Sequence, residues 1–223
     1  MISLNKVFVK YTKEFYALSN ISLNILPDEV VALVGPKDSG KTSLLRLLAG
    51  LEKHEKGEIY VKDISIEKLD YATDVSLGYL PLNTIFFDKK TVYDNLKYVL
   101  DIRKEDKAVV EEKINKAVID FRLESILHQK VYKLTNFEKY LVSIARLSFR
   151  KLNIVLIDNI FEDLEKNELK EILKLIKKYF VTKNSIVLVA TSSEEIAKKL
   201  ATRLVYLNYG AITKEQNNSV KGE

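Results

Sequence analysis

Residues 35–43 read GPKDSGKTS and match the pattern G-x-x-x-x-G-K-[ST] of a phosphate-binding loop. An apolar run of strand length precedes the motif, and the segment KTSLLRLLAG that follows has the pattern of a helix. Backbone N–H groups at the beginning of such a helix can surround an anion. We therefore predict a site for the phosphates of a nucleotide; the alternative is a chance match in an ordinary turn.

The predicted loop combines backbone and side-chain contacts. Gly35 and Gly40 permit the backbone to approach the anion closely. The ammonium group of Lys41 can reach the outer phosphates, and the hydroxyl group of Thr42 can ligate Mg²⁺. The predicted nucleotide-binding residues of the loop are Gly35, Pro36, Lys37, Asp38, Ser39, Gly40, Lys41, Thr42 and Ser43.

A second polar position ends an apolar run far along the chain. In the segment IVLIDNIF, residues 154–161, four apolar residues lead to Asp158. A carboxylate at the end of a buried strand suits a second magnesium ligand in enzymes with this type of loop; the alternative is a helix or turn cap. The next residue, Asn159, can orient a water molecule but cannot take a proton from it.

The elements that must position these residues alternate along the chain. Apolar strands at 29–35, 153–158 and 185–191 alternate with amphipathic helices, which predicts an α/β fold with a mainly parallel sheet covered on both faces. Two alternating segments within residues 1–27 predict an N-terminal β part, and RLVYLNYGAI predicts a closing pair of strands. The helical stretch at about 84–150 interrupts the alternation. We interpret it as a subdomain inserted into one domain that spans residues 1–223.

Composition restricts the classes of partner. The net charge is +5, but the lysines alternate with glutamates, as in LEKNELKEILKLIKK, so solvated helix faces explain the charge and no nucleic-acid partner is expected. A polyanion or membrane-surface partner is the alternative. The chain has no cysteine, which excludes disulfides and thiolate metal sites. It also has no signal-peptide core or membrane-length apolar run, so we expect a cytoplasmic location.

Together these segments resemble the nucleotide-binding domain of ATP-binding cassette (ABC) proteins, with the fold of P-loop, RecA-like NTPases. The resemblance runs from VKYTKEFYALSN to LATRLVYLNYGAI and includes LGYLPLNTIFFDKKTVYDNL. It implies ATP and Mg²⁺ as ligands, with Thr42 and Asp158 at the metal. It also implies that two domains meet head to tail, so that each ATP lies between the phosphate loop of one and the signature helix of the other.

The resemblance places Tyr11 where an aromatic ring stacks on adenine. A strand tyrosine packed on its neighbours is the alternative, and Tyr16 competes for the role. Three further positions depart from the family pattern. Leu82, with Asn83 beside it, stands at the position of a glutamine that contacts magnesium and water; Asn159 stands at the position of the catalytic glutamate; Thr191 stands at the position of the switch histidine.

The signature of the family, L-S-G-G-Q, is replaced here by LTNFE at residues 134–138. Asn136 and Phe137 replace glycines whose missing side chains let the backbone approach a phosphate of the partner. We interpret Thr135 and Glu138 instead as a capping box for the next helix. The loop that reads S-A-L-D in the family is EDLE here, residues 162–165.

The leading hypothesis is an ABC-type subunit that binds Mg-ATP and hydrolyses it slowly or not at all. Two alternatives stay open: a regulatory or scaffold protein that senses ATP or ADP, and an active ATPase whose partner chain supplies missing groups. In each case we expect a homodimer or heterodimer with another ABC domain. A transporter role requires separate membrane subunits and a peripheral position at the inner face of the membrane.

Overall fold

The computed structural model describes residues 1–12 and 15–218 and contains two sheets. The first is antiparallel, with the strand order β2-β1-β4-β5. Its strands are β1 (Ile2–Lys10), β2 (Tyr16–Ile25), β4 (Lys56–Val61) and β5 (Ile64–Ser65). Strands β1 and β2 alternate between buried and more exposed side chains over most of their length, with interruptions where their pairing shifts register, as expected for a sheet with one face on the core.

The second sheet has the strand order β10-β9-β3-β8-β7-β6, and every pair in it is parallel except the one at the β10 edge. Its strands are β3 (Val30–Val34), β6 (Leu77–Leu80), β7 (Ile154–Asp158), β8 (Ile186–Thr191), β9 (Arg203–Asn208) and β10 (Ala211–Asn217). All residues of β3, β7 and β8 are buried, as expected for central parallel strands.

The chain divides into two compact units. The first contains Met1–Leu82, Leu152–Glu162 and Lys177–Glu223, of which residues 1–12, 15–82, 152–162 and 177–218 are described. It includes both sheets, α1 (Lys41–Leu48) and α6 (Glu194–Leu200). A single apolar cluster joins buried residues of both sheets to Leu44, Leu45, Leu47 and Leu48 of α1. The helix therefore shares one core with both sheets.

The second unit contains Asn83–Lys151 and Asp163–Ile176. Its helices α2 (Val92–Asp101), α3 (Lys107–Phe121) and α4 (Asn136–Ser148) pack on one another, and a 3₁₀ turn at Val131–Lys133 precedes α4. Helix α5 (Lys166–Phe180) begins in this unit and ends in the first. The assignment of the whole chain to one nucleotide-binding domain stays a prediction.

A buried amide organises the loop at residues 83–91 of the second unit. Asn95 on α2 is only 1% exposed. Its Nδ2 donates to the carbonyl oxygens of Phe87 (3.2 Å) and Thr91 (2.9 Å), while its Oδ1 accepts from the Phe87 N–H at 3.0 Å. Arg146 on α4 donates to the carbonyl oxygen of Ile85 at 2.8 Å. The loop backbone is therefore attached to two helices.

The structure confirms the predicted fold class: an α/β fold with a mainly parallel sheet, an N-terminal antiparallel β part and a helical insertion. Strands β4 and β5 and helix α6 were not predicted from the sequence. Within the part of the chain that the structure describes, no helix is both long and apolar enough to cross a membrane.

We expect Leu156→Ala to lower the free energy of unfolding by about 2–5 kcal/mol, because it removes a fully buried side chain and leaves a cavity in the centre of β7. Urea denaturation measures the loss. Leu51→Ala is the matched control, since Leu51 is 55% exposed. Equal losses in the two variants would contradict the placement of β7 in the core.

Candidate functional site

The phosphate-loop motif lies at the end of β3, where the backbone turns sharply before α1. Asp38 and Gly40 adopt left-handed conformations, with φ of +62° and +99°. A Cβ atom at Gly35 would lie 2.2 Å from the carbonyl oxygen of Leu207, so no larger residue fits there without movement of the backbone. Because the first N–H groups of α1 have no acceptor within the helix, this turn can present them to an anion.

Lys41 lies inside the loop. Its Nζ donates to the carbonyl oxygens of Gly35 (2.8 Å) and Pro36 (2.7 Å) and to the Ser39 hydroxyl at 3.1 Å. Burial lowers the pKa of the Lys41 ammonium group, and the negative charges of Asp158, Glu162 and Asp38 oppose that shift. The loop therefore holds the ammonium group of Lys41 among its own oxygen atoms.

Thr42 and Asp158 lie within hydrogen-bond distance of each other. The Thr42 hydroxyl donates to Oδ1 of Asp158 at 3.0 Å, and the phenol of Tyr79 on β6 donates to Oδ2 at 3.2 Å. Burial raises the pKa of Asp158, although the hydrogen bonds from Thr42 and Tyr79 favour its ionised form. Burial also raises the pKa of Tyr79, with a further contribution from the Asp158 charge, so the phenol stays a donor. Tyr79 was not predicted from the sequence.

These oxygen atoms fit a magnesium ion. Mg²⁺ prefers hard oxygen ligands and commonly takes only one or two of them from the protein, with phosphates and water as the others. The hydroxyl of Thr42 and the carboxylate of Asp158 form such a pair. The structure brings together the two residues predicted as metal ligands, and their role as ligands stays a prediction.

Asn159 follows Asp158 in a left-handed conformation, with φ of +51°, which asparagine adopts more readily than most residues. Its backbone N–H donates to the carbonyl oxygen of Ala190 at 3.0 Å. The Glu162 carboxylate accepts a hydrogen bond from the Ser192 hydroxyl. The Ser192 hydroxyl and, to a smaller extent, the nearby Asn159 side chain lower the pKa of Glu162.

Glu162 and Ser192 were not predicted as site residues. Each follows a strand of the parallel sheet, β7 for Glu162 and β8 for Ser192. The carboxyl ends of parallel strands are where ligands bind in open α/β sheets. That rule was the available signal in the sequence, because both residues are polar and lie within four positions of the end of a strand.

Thr191 and Leu82, two of the positions that depart from the family pattern, differ in burial and in hydrogen bonding. Thr191 is fully buried at the end of β8, and its Oγ1 accepts from the backbone N–H of Ser193 at 3.1 Å. This local bond uses one acceptor position of the threonine hydroxyl in the turn before α6. Leu82, which follows β6 and Pro81, is 41% exposed and has no side-chain group that can hydrogen-bond.

The two candidate tyrosines for adenine stacking are in different environments. The side chain of Tyr11 is 77% exposed, while its backbone N–H donates to the carbonyl oxygen of Phe15 at 2.9 Å. Tyr16 lies in β2, and its ring packs edge to face on Phe8 with 5.8 Å between centroids. Tyr11 is thus the more accessible ring. Its role at adenine stays a prediction, and Lys13 and Glu14 lie outside the described residues.

The capping box predicted at the signature position is confirmed. The Thr135 hydroxyl accepts from the backbone N–H of Glu138 at 3.2 Å, and the Glu138 carboxylate accepts from the backbone N–H of Thr135 at 2.8 Å. Both side chains are therefore committed to the first turn of α4. A structural role explains these two residue types at this spacing.

Comparisons with known proteins agree with this geometry. The sequence model of the family described as "ABC transporter" matches residues 18–162. The arginine transport ATP-binding protein ArtM of Bacillus subtilis is 31% identical over 221 residues, which cover 97% of this chain and 91% of ArtM. The sn-glycerol-3-phosphate import ATP-binding protein UgpC of Psychromonas ingrahamii is 28% identical over 95% of this chain. The matched region covers only 56% of that relative.

A structural comparison extends over the whole chain. The dimeric structure of a post-hydrolysis state of the ATP-binding cassette MJ0796, bound to ADP and Pi, superposes with a TM-score of 0.85. Its sequence is 25% identical, and the superposition covers 100% of both chains. A bacterial Atm1-family ABC exporter with ATP bound gives a TM-score of 0.83 at 19% identity, and the match covers 38% of the exporter chain.

We expect Thr135→Ala to lower the free energy of unfolding by about 0.5–2 kcal/mol, because it removes the acceptor for the Glu138 N–H at the beginning of α4. Thr135→Ser is the matched control and keeps the hydroxyl group. Urea denaturation of both variants measures the difference. If alanine and serine are equally stable at this position, the capping box contributes nothing.

Proposed function

The chain belongs to the ABC transporter family, and we propose that it is an ATP-binding subunit of this family that holds Mg-ATP but hydrolyses it slowly. One combination of features carries the proposal. The hydrogen bond of 3.0 Å between Thr42 and Asp158 joins the phosphate loop to β7, while the position directly after Asp158 holds an amide, Asn159. The groups suited to binding are thus present beside a side chain that cannot accept a proton.

The nucleotide is held by residues of the first compact unit. The exposed ring of Tyr11 stacks on adenine, residues 35–43 surround the phosphates, and Lys41 exchanges its bonds to loop carbonyl oxygens for bonds to the outer phosphates. Thr42 and Asp158 hold the magnesium ion. When bound, Mg²⁺ offsets the negative charge of the phosphates and orients them.

Hydrolysis is slow because several side chains cannot act on water. Asn159 cannot serve as a general base, and loss of such a base typically costs about 10²- to 10⁴-fold in rate. Leu82 cannot hydrogen-bond to water or to a metal-bound ligand through its side chain. Thr191 is fully buried, and its hydroxyl accepts from the Ser193 N–H, so the side chain does not extend to the ligand side of the turn as a histidine would. These groups act on one reaction, so their separate effects are not summed.

Membership of the family supports a proposal for the partners. We propose that the chain pairs with another ABC domain, supported by the dimeric state named for the MJ0796 structure, and that it works beside separate membrane subunits at the cytoplasmic face of the membrane. The relatives are named for an amino acid, an organic phosphate, and sulfate or thiosulfate. Because the cargoes named for these relatives include both oxyanions and a cationic amino acid, no transported substrate is proposed.

We expect Lys41→Ala to weaken binding of Mg-ATP about tenfold or more. Hydrogen bonds to charged groups contribute about 1.5–3 kcal/mol, and 1.4 kcal/mol corresponds to a tenfold change in Kd. Isothermal titration calorimetry of the purified protein with Mg-ATP measures the effect. Lys174→Ala, at an exposed position of α5, is the matched control. Absence of binding by the unmodified protein would overturn the proposed function.

We expect Asn159→Glu to raise the rate of phosphate release from Mg-ATP only slightly. Leu82, Thr191 and the LTNFE segment are unchanged, and glutamate rarely adopts the φ of +51° at this position. Asn159→Gln is the control for side-chain length. A rise of about 10²-fold or more would show that the missing base alone limits the reaction.

A further inference from the structure

The carboxylate of Asp158 has a hydrogen-bond donor on each of its two oxygen atoms. The Thr42 hydroxyl donates to Oδ1 at 3.0 Å, and the phenol of Tyr79 donates to Oδ2 at 3.2 Å. Because Asp158 is only 3% exposed, its carboxylate depends on these donors rather than on bulk water. The terminal torsion of an aspartate side chain is broad without such contacts. The two bonds therefore fix the direction in which the carboxylate faces.

The register of the parallel sheet explains how Tyr79 reaches this carboxylate. Tyr79 of β6 pairs with Leu156 of β7. Side chains alternate along a strand, so Leu156 and Asp158 lie on one face of the sheet, and Tyr79 lies on the same face as its partner Leu156. The tyrosine ring packs against the apolar cluster that joins both sheets to α1. Packing in the core therefore positions the phenol, with no ligand required.

The hydrogen bond from Thr42 to Asp158 leaves the threonine hydroxyl able to ligate a metal ion. A hydroxyl group has one hydrogen atom and two lone pairs. Its hydrogen atom is directed to Asp158, so both lone pairs stay available. Thr42 is also exposed, so a cation can approach its oxygen atom from solvent. The pair thus offers a hydroxyl oxygen of the kind that Mg²⁺ prefers, beside a carboxylate that is held in one orientation.

We propose that Tyr79 is a positioning residue for magnesium, because its phenol holds the Asp158 carboxylate in the orientation that faces Thr42. The inference rests on the proposed function, since the metal ion accompanies the same nucleotide. Tyr79 acts through Asp158 and does not itself bind the metal ion. Replacing a residue that hydrogen-bonds to a metal ligand typically costs about 10- to 100-fold in metal affinity. Without the phenol, Oδ2 would lose this donor and the carboxylate could turn away from Thr42.

The test is Tyr79→Phe, which removes the hydroxyl group and keeps the ring. Isothermal titration calorimetry measures the Kd for ATP twice, once with Mg²⁺ and once with EDTA in its place. We expect the Kd for Mg-ATP to rise about tenfold, while the Kd for metal-free ATP changes less than about twofold. A general disturbance of the nucleotide site would raise both constants. The unmodified protein should bind ATP more tightly with Mg²⁺ than without it.

The matched control is Tyr71→Phe. Tyr71 is also partly buried, and its ring packs against the same apolar cluster. Its phenol donates to the carbonyl oxygen of Leu48 at 3.1 Å, at the end of α1 rather than at the carboxylate. The control therefore loses the same kind of hydrogen bond without a change at Asp158. We expect both constants to stay as in the unmodified protein, and urea denaturation shows whether the two variants are folded.

A double-mutant cycle with Asp158→Asn shows whether Tyr79 acts through the carboxylate. The quantity compared is the ratio of the Kd for metal-free ATP to the Kd for Mg-ATP. In the Asp158→Asn background, we expect Tyr79→Phe to change this ratio less than about twofold, because the carboxylate that the phenol positions is absent. A purely structural role of the phenol would give the same change in both backgrounds.

Several results would overturn the inference: an unchanged Kd for Mg-ATP in Tyr79→Phe, an equal rise of both constants in that variant, an equal effect of Tyr71→Phe, or an undiminished effect in the Asp158→Asn background. If the unmodified protein binds ATP equally well with and without Mg²⁺, the role of Tyr79 fails and nucleotide binding stands. If it does not bind ATP at all, the proposed function fails as well.

Discussion

The hydrogen bond from Thr42 to Asp158 joins residues that are 116 positions apart in the sequence, and the site depends on it. Thr42 is in the first turn of α1, and Asp158 is the last residue of β7. The register of the parallel sheet sets their separation, since β3 pairs with β8 and β8 pairs with β7. A slip of one residue in either pair would turn the carboxylate to the opposite face.

The same hydrogen bond lies beside two buried groups of opposite charge, Lys41 and Asp158. Burial disfavours the ionised forms of both Lys41 and Asp158, and each charge partly offsets the effect on the other. Hydrogen bonds from Thr42 and Tyr79 to the carboxylate, and from Lys41 to loop oxygens, replace contacts with water. The two charged groups can therefore exist before a ligand binds, at a cost in solvation that phosphate and magnesium would reduce.

The sequence predicted those parts of the fold that have strong periodic patterns. Strands β3, β7 and β8 are fully buried and nearly all apolar, so their runs are clear in the sequence. Strand β4 was not predicted because only Ile59 and Val61 in it are buried, and α6 was not predicted because it has seven residues, four of them charged. The phosphate-loop motif gave the position of Lys41 and Thr42. The hydrogen bonds of Tyr79, Glu162 and Ser192 depend on side-chain direction, which spacing along the chain does not determine.

The hydrogen bonds that join the 83–91 loop to α2 and α4 also affect how a displacement of the loop would be transmitted. Asn95 and Arg146 fix its backbone at Phe87 and Ile85, yet the Ile85 side chain is 81% exposed. The loop thus exposes the apolar side chain of Ile85 on a backbone that hydrogen bonds hold in place. A contact at this side chain would therefore cost little backbone entropy. A displacement of Ile85 would be transmitted to α2 and α4 together, because the loop backbone is hydrogen-bonded to both helices.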